Sequence, residues 1–93
     1  MAGYTLRVAP SAARALERLP EPVAAAMVEF LTGPLLSEPR RVGKPLMRQL
    51  TGYWSARRGA YRVIYAIEEA PAEPEGLVLV VRIEHRADVY RPL

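Results

Sequence analysis

The spacing of apolar and polar positions changes along the chain, and each spacing predicts a different element. Residues 4–8 alternate apolar and polar side chains and contain β-formers, which is typical of a half-buried strand. Apolar residues then recur at helical spacing in two segments separated by Pro20, the second followed by Gly33. These residues are Ala12, Ala15, Leu16 and Leu19 in the first segment and Val23, Met27, Phe30 and Leu31 in the second. The pattern predicts a helical hairpin.

After Gly43 the spacing changes to a period of two, which predicts strands. The predicted strands are residues 44–50, with Pro45 near the start, and residues 53–57, 60–67 and 77–84. Breaker residues predict loops over 34–39 and 68–75. Arg58-Gly59 reads as a two-residue hairpin turn.

That turn predicts the pairing of the central hairpin. Arg57 would face Ala60 and Trp54 would face Val63, with Trp54 a core residue. In the last strand Leu77, Leu79, Val81 and Ile83 would form a buried row, and His85 would continue it as a hydrogen-bonded structural histidine.

Together these elements predict one α+β domain over residues 1–93. An N-terminal strand precedes the helical hairpin, and an antiparallel sheet of three to four strands follows, with the helices on one face. The opposite face stays open, and the predicted register gives it Tyr53, Ser55, Arg57 and Arg62.

Charge concentrates in the middle of the chain. The net charge is +3, yet residues 39–67 contain no acid and carry +7. Arginine outnumbers lysine twelve to one, which favours forked contacts with phosphate or carboxylate over diffuse solubilising charge. A polyanionic partner is therefore one hypothesis; arginine-rich codon usage with a solvated charged face is the other.

Composition limits the possible chemistry. There is no cysteine and only one histidine, so we expect no disulfide, no thiol nucleophile, no metal site and no cofactor. No apolar run approaches the roughly 20 residues of a membrane helix, and no secretory signal is recognisable, so the expected location is the cytoplasm.

Arginine, tyrosine and one histidine suit metal-free cleavage of RNA. In that reaction the 2′-hydroxyl of the substrate is the nucleophile, and the protein aligns it and neutralises charge on the phosphorane. Guanidinium groups can perform the second task directly.

Four stretches resemble the RelE branch of the RelE/ParE toxin superfamily. They are residues 30–36 (FLTGPLL), 41–46 (RVGKPL), 55–67 (SARRGAYRVIYAI) and 84–91 (EHRADVYR). The resemblance implies a ribosome-dependent mRNA endonuclease from a type II toxin–antitoxin pair. It also implies roles for individual residues: Arg62 would stabilise the transition-state phosphate, Arg86 would assist the leaving 5′-oxygen, and Tyr90 would stack on or orient a base.

This chain departs from the family on the strand before the hairpin. Members of the family have lysines there, one of them a candidate general base, whereas this chain has Tyr53 and Ser55. Arg57 or Arg58 could compensate, although arginine stays protonated and is a poor proton acceptor. The identity of the general base stays open. Further candidate RNA contacts are Lys44, Arg40, Arg41, Arg58 and Ser55, with Arg57 also a catalytic candidate.

The resemblance implies partners as well. They are an acidic RelB-like antitoxin, the ribosome and mRNA, with operator DNA reached only through the toxin–antitoxin complex and no membrane. Two alternatives stay open: a ParE-like inhibitor of DNA gyrase without nuclease activity, and a nucleic-acid-binding module without catalysis.

Overall fold

The computed structural model describes residues 4–70 and 73–85. Within these ranges, five strands, four helices and one 3₁₀ turn follow one another. They are β1 (Thr5–Val8), α1 (Pro10–Glu17), α2 (Glu21–Thr32), α3 (Pro34–Ser37), α4 (Pro39–Val42), β2 (Lys44–Pro45), the 3₁₀ turn (Arg48–Leu50), β3 (Trp54–Arg58), β4 (Tyr61–Ala70) and β5 (Glu73–His85).

All five strands form one mixed sheet in the order β1-β5-β4-β3-β2. The strands from β2 to β5 pair antiparallel with their neighbours, and β1 adds to β5 in parallel. The helices supply the crossover that a parallel pair requires between β1 and the rest of the sheet. The predicted α+β fold is confirmed.

The core lies between the helices and one face of the sheet. Ala12, Met27, Phe30 and Leu31, all from the predicted helical stripes, are buried there. From the sheet come Ala56, Val63, Tyr65, Val78, Val80 and Ile83. The described helices pack on this one face and leave the opposite face without cover from any of them, as predicted.

The segment predicted as a loop over 34–39 instead contributes to two single-turn helices, α3 and α4. Proline occupies the first helical position of each, where its fixed φ suits the helix and its missing N–H costs nothing. Proline therefore starts helices here, although its density had suggested a loop.

Three predicted strand boundaries were wrong. The strand predicted over 44–50 is reduced to Lys44–Pro45 and followed by the 3₁₀ turn. The loop predicted over 68–75 is mostly strand, since β4 runs to Ala70 and β5 begins at Glu73, with the two paired there. Pairing between β4 and β5 therefore extends both strands into a segment that its prolines predicted to be a loop.

The hairpin register differs from the prediction by two residues. Arg57 pairs with Arg62 and Trp54 with Tyr65, so the turn consists of Gly59 and Ala60. Gly59 has a φ of +61°, the left-handed conformation that such a turn requires. Because the side-chain period is also two, the shift leaves every residue on its predicted face.

Leu77 and Ile83 of the row predicted for β5 are buried, but the prediction that the row lies on one face was wrong for a local reason. Val78 and Val80 face the core, and the pairing then shifts so that Val81 is an extra residue between two pairs. Ile83 returns to the core face beyond this bulge. Leu77 and Leu79 lie on the opposite face.

One buried hydrogen bond ties the short helices to the sheet. The Tyr65 hydroxyl, in a fully buried side chain, donates to the Pro39 carbonyl oxygen at 2.6 Å. Burial raises the pKa of Tyr65 from 10.0 to about 12. A Cβ at Gly43 would collide with the Tyr65 hydroxyl and lie 2.8 Å from the Ser55 carbonyl oxygen, so only glycine permits this approach.

Within the ranges that the structure describes, no helix is long and apolar enough to cross a membrane.

Candidate nucleic-acid interface

Two rows of side chains cross the face of the sheet opposite the described helices, here called the open face. Register defines them, because directly paired residues of neighbouring antiparallel strands share a face. The first row is Arg57, Arg62 and Glu84, and the second is Lys44, Ser55, Ile64 and Arg82. These two rows carry four cations and one carboxylate, so the open face is positive where β2 to β5 meet.

Arg62 occupies the centre of the first row. Its side chain is half-buried, and its Nε is buried without a hydrogen-bond partner. No ion pair involves it within residues 4–70 and 73–85. Its guanidinium therefore retains donors for an incoming anion.

Arg57 stands directly across from Arg62 and is exposed. Like charges at directly opposed positions destabilise a sheet. The pair therefore has unfavourable electrostatics until an anion lies between or above the two guanidinium groups. A bound phosphate would relieve that repulsion.

Glu84, on the other side of Arg62, is the acidic member that sequence reasoning missed. Its Oε2 accepts a hydrogen bond from Arg82 Nη1 at 3.1 Å, and its side chain is only 19% exposed. The carboxylate is thus bound to Arg82 and forms no ion pair with Arg62. The sequence pattern predicts Glu84 only as the last residue of a strand, and the β4–β5 register brings it beside Arg62.

Lys44 and Ser55 pair with each other at the edge of the second row. Lys44 is exposed and Ser55 half-buried. Both predicted contacts are therefore on the same face as Arg57 and Arg62, where an extended RNA backbone could reach all four.

The other predicted cations lie elsewhere. Arg58 is on the helical side of the sheet, with its guanidinium carbon 6.0 Å from the centre of the Phe30 ring. Arg40 and Arg41 belong to α4: Arg40 donates to the Tyr4 hydroxyl at 2.7 Å, and Arg41 pairs with Glu38 at 3.4 Å. The acid-free segment is therefore divided between two faces.

His85 was predicted to be buried, and this was wrong. It is exposed at the end of β5, where its ring contacts that of Tyr61 edge-to-face with centroids 5.0 Å apart. The bulge at Val81 sets this orientation by returning Ile83 and His85 to the helical side, away from Arg62.

Arg86 and Tyr90, the other two residues singled out by the resemblance, lie outside the described residues. Across the described ranges, no group of three or more His, Cys, Asp or Glu side chains could hold a metal ion.

Comparison with known proteins identifies the family. A family model described as the ParE toxin of type II toxin–antitoxin systems, parDE, matches residues 6–90. Toxin RelG of Mycobacterium tuberculosis is 49% identical over 88 residues, covering 95% of this chain and 97% of RelG. Toxin RelE of the same organism is also 49% identical over 88 residues, covering 95% of this chain and 87% of RelE.

A solved structure agrees with these relatives. One chain of the toxin–antitoxin complex RelBE2 from Mycobacterium tuberculosis matches with a TM-score of 0.82 and 46% identity, covering 91% of this chain and 100% of that one. Agreement in sequence and fold over nearly the whole length confirms the resemblance drawn from the motifs. The chain belongs to the RelE/ParE superfamily of toxins of type II toxin–antitoxin systems.

Proposed function

We propose that this toxin is an endoribonuclease that cuts mRNA in the ribosomal A site. The observation that carries the proposal is Arg62: a half-buried arginine at the centre of a positive sheet face, with no carboxylate partner within the described ranges. The RelE name of a relative with 49% identity supports the same reading.

The reaction is an attack of the substrate's 2′-hydroxyl on the adjacent phosphate. The bond from phosphorus to the 5′-oxygen breaks, leaving a 2′,3′-cyclic phosphate and a 5′-hydroxyl. The nucleophile belongs to the RNA, so the protein's part is to align the groups and stabilise the charge of the phosphorane. It requires no metal or cofactor.

Different residues of the open face stabilise the phosphorane and bind the RNA backbone. Arg62 stabilises the phosphorane, and Arg57 across the hairpin adds a second charge at the same phosphate. Lys44 and Ser55 bind the flanking backbone. The family resemblance further assigns Arg86 to the leaving 5′-oxygen and Tyr90 to a base.

Tyr53 and Ser55 stand where other members of the family have lysines. The proposed catalysis therefore relies on positioning and charge stabilisation rather than on a lysine base. Removing one donor to a developing oxyanion commonly costs about 10² to 10³ in rate, which is the size of effect expected of Arg62.

We further propose an acidic RelB-like antitoxin as the partner. A solved relative is a toxin–antitoxin complex, RelBE2, and a second similar fold comes from a RelE–RelB complex of Pyrococcus horikoshii. Acidic side chains of the antitoxin would pair with Arg57 and Arg62 and so compete with RNA for the open face. Operator DNA would be reached only through this complex.

The ParE name of the matching family model favours a second candidate, inhibition of DNA gyrase. Two parallel assays distinguish these functions. One measures mRNA cleavage on translating ribosomes, and the other measures inhibition of gyrase supercoiling. Breaks within A-site codons support the nuclease, whereas gyrase inhibition without breaks supports the alternative.

A further inference from the structure

Beside the Arg62 row, the open face contains a pocket of about 280 Å³. It is lined by Ser11, Leu50, Tyr53, Ile64, Val81 and Arg82. Ile64 lies two residues after Arg62 on β4, a separation of about 7 Å along a strand, and on the same face. The pocket is therefore adjacent to the guanidinium that would bind the scissile phosphate.

The apolar part of the pocket is suited to a flat ring. Ile64 is only 4% exposed, although it lies on the face without helices. The Tyr53 ring is half-buried beside it, and Leu50 is 43% exposed at the rim. An aromatic ring bordered by aliphatic side chains is the usual surface on which an unpaired nucleobase stacks.

Backbone hydrogen bonds hold Tyr53 in position before any ligand arrives. Its N–H donates to the Leu50 carbonyl oxygen at 3.0 Å, and its own carbonyl oxygen accepts from the Leu46 N–H at 2.8 Å. The 3₁₀ turn thus supplies Leu50 and, through the Leu50 carbonyl oxygen, holds the backbone of Tyr53. Because this backbone is already ordered, binding would not incur the entropy of ordering it.

The polar part of the pocket is an arginine that contacts a neighbouring carboxylate. Arg82 is 59% exposed, and one of its terminal nitrogens is bound to Glu84. Its remaining N–H groups can donate to a base edge. Arginine donors match N7 and O6 of guanine, and a purine covers more of a tyrosine ring than a pyrimidine does.

We propose that this pocket binds the base of a nucleotide flanking the scissile phosphate, with Tyr53 as the stacking platform and Arg82 as the edge contact that favours a purine. The inference rests on the proposed nuclease function, because only an RNA whose phosphate lies at Arg62 brings a base here. Tyr53 is thus a specificity-determining residue.

The test compares Tyr53→Ala and Tyr53→Phe in the full chain. On translating ribosomes, Tyr53→Ala should lower kcat/KM at purine-flanked sites by about 5- to 150-fold, the loss expected for one stacked base, and lower it less at pyrimidine-flanked sites. Tyr53→Phe keeps the ring and should keep the preference for purine-flanked sites. Met47→Ala, which changes a side chain that is 78% exposed and outside the pocket, is the matched control.

A binding readout separates recognition from chemistry. Ribosome-bound mRNA carries 2-aminopurine at the flanking position and a 2′-deoxyribose at the cleaved nucleotide, so that it binds without being cut. Stacking should quench the fluorescence with the original chain, Tyr53→Phe and Met47→Ala, and the quenching should be lost with Tyr53→Ala.

The outcomes distinguish the two proposals. If the original chain cuts mRNA and Tyr53→Ala leaves both the quenching and the site preference unchanged, the pocket assignment is overturned while the nuclease function stands. If the original chain makes no breaks, both are overturned. Melting curves of the variants show whether a loss reflects unfolding. If Tyr53→Ala does not fold, Arg82→Ala at a 59% exposed side chain takes its place: it should reduce the preference for purine-flanked sites, and an unchanged preference would overturn the assignment.

Discussion

Arg57 and Arg62 lie directly opposite each other on the β3–β4 hairpin, on the face of the sheet without helices. The nearest carboxylate in the row, Glu84, is bound to Arg82, so nothing in the described ranges neutralises the two arginines. Such an arrangement weakens the sheet unless an anion binds it. The two opposed arginines are therefore better explained by a role in binding an anion than by a role in stabilising the fold.

Replacing Arg62 by alanine should reduce mRNA cleavage by about 10² to 10³, because a donor to the phosphorane is lost. Single-turnover cleavage on purified ribosomes measures the effect. The control is Arg14→Ala, which removes an equal charge from the exposed surface of α1 on the helical side. Equal activity in the two variants would contradict the role of Arg62.

Replacing Arg57 by alanine should weaken the salt dependence of ribosome binding. A cation that neutralises one phosphate contributes roughly one unit to the slope of log affinity against log salt concentration. Titrations at several salt concentrations should give a shallower slope for Arg57→Ala than for the original chain, and Arg14→Ala should not change it. An unchanged slope in Arg57→Ala would exclude a phosphate contact at this position.

Much of this site follows from the sequence, and the reason is the period of two in strands. An error of two residues in the hairpin register leaves Ser55, Arg57 and Arg62 on their correct face. The bulge at Val81 has the opposite effect, because one extra residue moves each later side chain of the strand to the other face of the sheet. Hence Leu77 and Leu79 lie on the open face instead of on the predicted core row with Ile83.

The division of the basic segment could not be predicted either. Charge counts along the chain do not distinguish Arg57, on the open face, from Arg58, beside Phe30. Arg40 and Arg41 join the helical side because Pro39 starts a helix there. Proline density is an ambiguous signal, since proline interrupts helices and also begins them.

Replacing Tyr65 by phenylalanine should destabilise the fold by about 1–3 kcal/mol. The substitution leaves the Pro39 carbonyl oxygen without its buried donor. Urea denaturation measures the loss, with Tyr53→Phe as the control, because no hydrogen bond from the half-buried Tyr53 hydroxyl is found within the described ranges. Equal stability of Tyr65→Phe and the original chain would contradict the structural role of this hydrogen bond.

Raising the pH above 10 should remove the stability that the neutral Tyr65 hydroxyl gives to the folded chain. Its pKa is about 12 in the folded chain because burial disfavours the charged form, against an ordinary value of 10.0. A raised pKa contributes stability that is complete below pH 10 and lost as the pH rises through 12. The difference in unfolding free energy between the original chain and Tyr65→Phe should therefore shrink across that window. A difference that stayed constant from pH 9 to 12 would contradict the assignment.

The central claim is that the open face cuts RNA, and mapping mRNA breaks on translating ribosomes tests it most directly. The original chain and Arg62→Ala are added separately to a translation reaction, and the ends of the mRNA are mapped at nucleotide resolution. We predict breaks within A-site codons, ending in a 2′,3′-cyclic phosphate or 3′-phosphate, that Arg62→Ala fails to produce. Intact mRNA with the original chain, together with inhibition of gyrase supercoiling in a parallel reaction, would contradict the claim.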